Sequence, residues 1–343
     1  MTGAIATSTA ASRRVALWLF AMCALLCVMV TVGGATRLTD SGLSITEWRP
    51  ITGAVPPLTE EHWQAELEKY RQIPEYQLVN KGMTLDEFKR IYWWEWGHRF
   101  LGRLIGVAFL VPLVVFAIRR EISRSLGLKL LGIFALGGMQ GALGWYMVQS
   151  GLTHRVDVSQ YRLAAHLGLA IILLGLMFWT ALDLVTPRAR GTSRRLFAGA
   201  LLFAGLVYAQ MLLGAFVAGL RAGRVFTTWP LMDGRFFPEG YFSEPARFLD
   251  LFDNAAAAQF NHRLGAYAVF AAAIVFAWSV RRSLIAKRAR MVLAVVSLQV
   301  VLGIWTLVAA TPVGLGLLHQ FGALIVFLSA LHAAHGARTR PSA

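Results

Sequence analysis

Eight apolar runs of roughly bilayer length dominate this chain of 343 residues, at 15–33, 96–118, 126–148, 163–183, 196–220, 255–280, 291–310 and 314–332. A helix needs about 20 apolar residues to cross the hydrocarbon core. A backbone inside lipid must satisfy its own hydrogen bonds, and runs of this length do so as helices. With 57% hydrophobic and only 15% charged residues, an ordinary soluble domain is excluded. The expected fold class is an all-α integral membrane protein with eight transmembrane helices.

A net charge of +15 would suit a nucleic-acid binder if it formed one patch, but the charges are spread by connection. Arg13 and Arg14, then Arg119, Arg120, Arg124 and Lys129, then Arg188, Arg190, Arg194 and Arg195 stand almost without acids. The same holds for Arg281, Arg282, Lys287, Arg288 and Arg290 and for Arg338 and Arg340 in the tail. The positive-inside rule places these segments and both termini in the cytoplasm. The alternate connections mix signs, with Glu60, Glu61, Glu66 and Glu68 beside Lys69 and Arg71, and Asp250 and Asp253 beside Arg247, and are expected outside. The longest of them, 37–95, holds Thr84 and Glu87 in capping-box spacing before Phe88, Ile91 and Tyr92, which predicts a short surface helix leading into the second span. No small-residue cleavage site clearly follows the first run, which is read as a retained helix. Cys23 and Cys27 lie four apart within that run, so they build neither a disulfide framework nor a thiolate metal site and read as small buried residues.

Spans two to four and six to eight carry matched signatures. The second opens with Glu95-Trp96-Gly97-His98-Arg99 and the sixth with Gln259-Phe260-Asn261-His262-Arg263. The third carries Gln140, Leu143, Gly144 and Trp145, the seventh Gln299, Leu302, Gly303 and Trp305. The fourth has His166 and Gly168, the eighth His319 and Gly322. Each half contains an even number of spans and starts from the same side, so the expected architecture is two parallel-repeat four-helix bundles, residues 1–190 and 191–343, joined at an arginine-rich seam around 187–195.

Ionisable side chains inside a membrane mark functional sites by default. His98, His166, His262 and His319 lie on even-numbered spans, each expected within one or two turns of the outer end. A single one of them would be read as an interhelical hydrogen bond. Four at one depth reverse that preference, because two imidazoles facing each other across a bundle ligate an iron from opposite sides. Neither half adds the further nitrogen, sulfur or carboxylate ligands that a zinc site needs. Gly97, Gly102, Gly106, Gly168, Gly265 and Gly322 thin the helices near the histidines, as a flat macrocycle requires. Arg99 and Arg263 follow a histidine directly and either pair with a propionate or snorkel to phosphate headgroups. Trp93, Trp94 and Trp96 fit an interfacial aromatic belt. His62, His154, His332 and His335 read as ordinary surface histidines.

The halves differ three residues before the first histidine, where Glu95 in one matches Gln259 in the other. Residues i and i+3 share a helix face. Glu95 therefore lies beside His98, where it either handles protons or pairs with Arg99 at the interface. The asymmetry makes the first half the candidate for chemistry and the second a permanent haem site.

With these residues in place the chain resembles the haem A synthase family over nearly its whole length. The resemblance is carried by Gly33-Gly34-Ala35-Thr36-Arg37-Leu38-Thr39, Ser41-Gly42-Leu43-Ser44, Trp48-Arg49-Pro50-Ile51-Thr52-Gly53-Ala54 with Pro56-Pro57, and Glu95 to Arg103, with Asn261-His262-Arg263 and His319-Gln320 in the second half. It implies two successive hydroxylations of the C8 ring methyl of haem O, through an alcohol and a geminal diol, to the formyl group of haem A for terminal oxidase assembly. It further implies His98 and His166 as ligands of the substrate iron, Glu95 as a proton-transfer residue, and His262 and His319 as axial ligands of haem b. The implied partners are a haem O synthase (protohaem farnesyltransferase) delivering substrate, an electron carrier and, in one arrangement, further copies of the chain. The implied location is the bacterial inner membrane, with the histidines toward the periplasm. Members with a cysteine pair in the first outer loop differ from this chain, whose 37–95 segment has none.

Two readings of other classes compete. A bis-histidine electron-transfer cytochrome b without haem-modifying activity fits the histidine pattern alone. A parallel-repeat transporter predicts broken helices at mid-depth, and no paired Gly/Pro interruptions stand at matching midplane positions. A di-iron carboxylate bundle needs two Glu-x-x-His motifs, and only Glu95 with His98 supplies one.

Overall fold

The computed structural model describes residues 9–153, 155–186, 193–242 and 247–338, which form helices, turns and one isolated bridge between Met232 and Arg235. His154 and the basic residues Arg188, Arg190 and Arg340 lie outside the described residues. Eight helices are long and apolar enough to cross a membrane: α1 (Thr9–Leu38), α4 (Leu85–Ile118), α5 (Arg124–Thr153), α6 (Gln160–Val185), α7 (Arg194–Gly219), α9 (Ala255–Ser279), α10 (Ala286–Val308) and α11 (Val313–Gly336). The chain is a multi-pass membrane protein. Three short helices stand in the connections: α2 (Glu60–Arg71), α3 (Pro74–Leu78) and α8 (Asp250–Asp253). Cys23 and Cys27 are free thiols buried in α1.

The chain falls into two compact units whose boundary runs through α1 and α6. One takes residues 21–173 with the start of α1, the other 12–20 and everything from 174 on. In the second unit α7 packs on α9, α9 on α10, α10 on α11 and α11 back on α7, a closed ring of four helices. Small residues make this possible, since helices in lipid associate by close backbone approach. Ala200, Ala204 and Ala215 on α7, Ala273 and Ala277 on α9, and Ala330, Ala333 and Ala334 on α11 are all buried. His335 on α11 departs from its expected surface position. It is buried, its Nε2 lies 3.0 Å from Asp183 Oδ1, and its ring meets the edge of Trp179. A histidine this deep needs a polar partner, and Asp183, distant in sequence, gives no local sign of being one.

In the first unit α4 and α5 pack along each other, while α2 rests on α4 and α3 on α5. These contacts enclose a small apolar core of Leu43, Ile45, Trp63, Leu67, Tyr70, Ile73, Tyr76, Phe88, Tyr92, Val148 and Val158. The expected surface helix and the second span prove to be one helix of 34 residues. Thr84 caps it, accepting from Glu87 N while Glu87 Oε2 accepts from Thr84 N at 2.8 Å. Phe88, Tyr92 and Glu95 are buried at i, i+4 and i+7, one continuous face. That face has a core to cover before the lipid begins, so the helix runs on through the boundary that hydropathy suggested. His98 is consequently the fourteenth residue of its helix, whereas His166, His262 and His319 stand about two turns in.

Glu75 is one of the carboxyls buried in this outer core. Glu75 accepts from the Tyr70 hydroxyl at 3.0 Å, and Asn80 Nδ2 donates to Tyr70 at 2.7 Å. Burial, with the charges of Glu95, Asp157 and Asp40 adding to it, pushes the Glu75 carboxyl up to about 8, and the Tyr70 bond only partly offsets this. A raised carboxyl pKa means that the folded state binds the proton more tightly than the unfolded chain, so the stabilisation is complete below the unfolded value and is lost as pH rises through about 8. Protection of α2 and α3, with exchange rates corrected for base catalysis, is therefore expected to fall as pH rises from about 5 to about 8 in the native protein and to lose that dependence in Glu75→Gln; equal profiles in the two would refute the assignment.

Candidate functional site

Each of the four intramembrane histidines lies against a glycine of the preceding spanning helix. A methyl group added at Gly144 on α5 would come within 2.9 Å of His166 Cε1. At Gly214 on α7 it would come within 3.2 Å of His262 Cε1, and at Gly303 on α10 within 2.8 Å of His319 Cε1. At Gly33 on α1 it would lie 2.9 Å from His98 Nε2. Only glycine leaves room for an imidazole this close to the neighbouring backbone. The rings are half-buried, flanked on that side and accessible elsewhere. Of the glycines expected to leave space for a macrocycle on the histidines' own helices, some are open and others pack against a neighbouring side chain. Gly97 and Gly106 face open space, Gly102 accommodates Met29, and Gly265 and Gly322 make room for Gln210 and Gln299.

Three of the rings are also held by an amide one helical turn before the facing glycine. Gln140 Nε2 lies 3.1 Å from His166 Nδ1 and donates to the His166 carbonyl at 2.9 Å. Gln210 stands 3.0 Å from His262 Nδ1 and donates to the His262 carbonyl at 2.8 Å. Gln299 does the same to His319, at 3.1 and 2.8 Å. An amide fixed at Nδ1 and at the carbonyl of the same residue holds the ring in one orientation. Gln140 Oε1 and Gln210 Oε1 are buried without a partner. Gln140 and Gln299 stood out as a matched pair in the sequence without a role. Gln210 with Gly214 was missed, although the Gln-x-x-x-Gly spacing repeats there.

In the second unit the centroids of the His262 and His319 rings are 6.4 Å apart and their planes lie at 86°. An imidazole nitrogen bonds a first-row metal at about 2.0–2.1 Å, so two rings ligating one ion from opposite sides bring their centroids to roughly 6.3 Å. Among the described residues no three His, Cys, Asp or Glu side chains gather to hold a metal ion. A metal between two imidazoles must therefore bring its equatorial ligands with it, as a porphyrin iron does.

The residues flanking the histidines fasten the outer loops. Glu95 is 2% exposed. Its Oε2 accepts from Ser44 Oγ and Ile45 N, both at 2.8 Å, and its Oε1 from Arg99 Nε and Nη2 at 3.1 and 2.6 Å. Arg99 also donates to the carbonyls of Glu47 and Ile45 and lies over Trp145, which stacks on Trp48. Arg103 continues the pattern on Pro50 and Arg49. In the second unit Gln259 Nε2 donates to Ala222 and Phe226, both at 2.9 Å, and Arg263 donates to Thr228, Phe226 and Gln259 Oε1. The Glu95–Arg99 pair is the interfacial pairing that the sequence allowed. Neither arginine snorkels freely: both guanidinium groups hold loop carbonyls, and only Arg263 keeps a buried Nε without a partner. Trp93 packs between Trp63 and Trp96, and Trp96 stacks on Phe100.

The COX15-CtaA family model, described as cytochrome oxidase assembly protein, matches residues 16–331. This chain belongs to the COX15-CtaA family. Among its relatives, the haem A synthase of Parvibaculum lavamentivorans is 52% identical over 324 residues, 94% of each chain. Those of Maricaulis maris and Caulobacter vibrioides are 50% and 51% identical, covering 96% and 92% of this chain and 98% and 93% of theirs. In this COX15-CtaA member, removing one partner of a buried, hydrogen-bonded ion pair costs about 3–5 kcal/mol locally. Glu95→Ala is accordingly expected to free residues 41–49, read as accelerated exchange or proteolysis there, while Gln259→Ala frees 222–228; unchanged protection at 41–49 would show that the pair does not anchor the loop.

Proposed function

We propose that this protein is a haem A synthase of the bacterial inner membrane that oxidises the C8 methyl of haem O to a formyl group by two successive hydroxylations. The reading is supported by relatives of that name at about half identity over nearly full length. The observation that carries it here is the 6.4 Å separation of the His262 and His319 rings, the spacing of a bis-imidazole iron site.

In this proposal the half at 1–190 takes the substrate, with the iron of haem O between His98 and His166, and the half at 191–343 holds haem b between His262 and His319. Haem b would supply one-electron exchange between the reaction and an outside carrier. Arg263, through its unpartnered Nε, is available to a propionate, whereas Arg99 is already committed to Glu95 and the loop. Oxidising a methyl to a formyl group moves protons as well as electrons, and Glu95 lies one turn from His98 to exchange them. Its oxygens already hold Ser44, Ile45 and Arg99, so we assign it the anchoring of loop 41–49 as well as proton uptake when one of those contacts opens. The basic connections support a topology with both termini in the cytoplasm and the histidines toward the periplasm. A haem O synthase as donor of the substrate, and self-association of the chain, belong to the same proposal.

The test is chromatography of extracted haems with pyridine haemochrome spectra, on protein produced in cells that make haem O. Wild type is expected to yield formyl-bearing haem. His98→Ala and Glu95→Ala should retain haem b but accumulate haem O or the alcohol, and His262→Ala should lose haem b. Wild-type protein that binds haem and cycles electrons but never yields the formyl product would favour the electron-transfer cytochrome instead.

A further inference from the structure

The four helix pairs that present a histidine share one plan, and one of them breaks it. The residue one turn before the facing glycine is Gln140, Gln210 or Gln299 in three pairs and Met29 in the fourth. Met29 occupies the corresponding space, since its Cε abuts Gly102 on the histidine's helix much as Gln210 abuts Gly265 and Gln299 abuts Gly322. A thioether offers no N–H and is at best a weak acceptor. Among the described residues, His98 is the one ring of the four that no side chain holds at Nδ1.

A second observation agrees. In the three amide-held rings the atom nearest the glycine is Cε1, followed by Nδ1, so all three sit in one orientation. In His98 the nearest atom is Nε2, followed by Cδ2. The ring is turned so that its Nε2 edge lies against α1, and it must swing to offer that nitrogen to a metal.

We infer that His98 is an exchangeable ligand: in the first unit an iron porphyrin is held firmly by His166 and intermittently by His98, and the His98 face admits a small neutral ligand to the iron. This rests on the proposed reading that porphyrin binds between the paired histidines. Met29 and the three glutamines are positioning residues in this scheme. They decide which imidazole stays in place, and with it which half can take an exogenous ligand. The second unit, with glutamines on both rings, is closed. The asymmetry puts the open coordination position in the half proposed to hold the substrate.

The probe is carbon monoxide, added to the dithionite-reduced full-length protein after saturation with protohaem to two porphyrins per chain and followed by difference spectra. Wild type is expected to bind carbon monoxide at one of its two haems, Met29→Gln to bind it about tenfold or more weakly, as a restored second-shell bond would imply, and Gln299→Met to open the second haem. Wild-type protein with two bound porphyrins and no carbon monoxide complex overturns the inference, as does Met29→Gln that binds as wild type. Should Met29→Gln fail to fold, Gln299→Met decides, and a second site that stays closed in it counts against the inference. Protein that never takes up two porphyrins would overturn the two-site reading itself, a different failure from that of His98.

Discussion

An imidazole nitrogen placed among apolar helices costs free energy unless a partner takes up its lone pair or its proton. Three of the four intramembrane histidines meet that cost through the preceding helix, which supplies an amide to the ring and a glycine against which it lies. Much of the rest follows from this contact. The helix pairs must approach closely at that point, so glycines are needed there. The amide engages one ring edge and leaves the opposite edge to face the bundle. In the second unit the result is two rings at right angles with 6.4 Å between their centroids.

The outer loops depend on the same turn of helix. The residues three before and one after His98 and His262 lie on the same turn of helix, where Glu95 with Arg99 and Gln259 with Arg263 gather the loop backbone. A loop so fastened forms part of the wall beside the histidine. In the first unit it also carries a core of its own, in which Tyr70, Phe88 and Tyr92 pack ring to ring. That core accounts for the helical extension of α4 beyond its apolar run.

The eight spans, the histidines and the Glu95/Gln259 difference were legible in the sequence because each is a local signal: a run of apolar residues, a titratable group inside it, a mismatch between aligned motifs. What was not legible depends on pairs distant in sequence. Gln140, Gln210 and Gln299 reach histidines 26, 52 and 20 residues away. Arg99 holds carbonyls 52 and 54 residues before it. A guanidinium beside a histidine was therefore read as a propionate partner or a headgroup anchor, when loop carbonyls were the groups within reach. Hydropathy also missed the start of α4, since Phe88, Tyr92 and Glu95 are buried by an outer core and not by lipid. The repeat itself was partly legible: two Gln-x-x-x-Gly motifs were visible, but only the rings they hold show what they do.

The exchange of Glu95 for Gln259 also reads differently once the loops are in place. A carboxylate only accepts, and the loop around Glu95 presents donors to it: a serine hydroxyl, a backbone N–H and a guanidinium. The amide of Gln259 donates to two backbone carbonyls and accepts only from Arg263. The two loops thus show opposite faces of the peptide group to the same helical position, so the difference spans a whole segment of backbone and not one side chain. A glutamine placed at 95 would turn an N–H₂ toward donors that need an acceptor, and buried donors left unsatisfied cost about 1–3 kcal/mol each. The charge on Glu95 is on this account fixed by the architecture of its loop. The carboxylate beside His98 was therefore built in with the loop, and any proton it handles must pass through contacts that also hold the outer surface together.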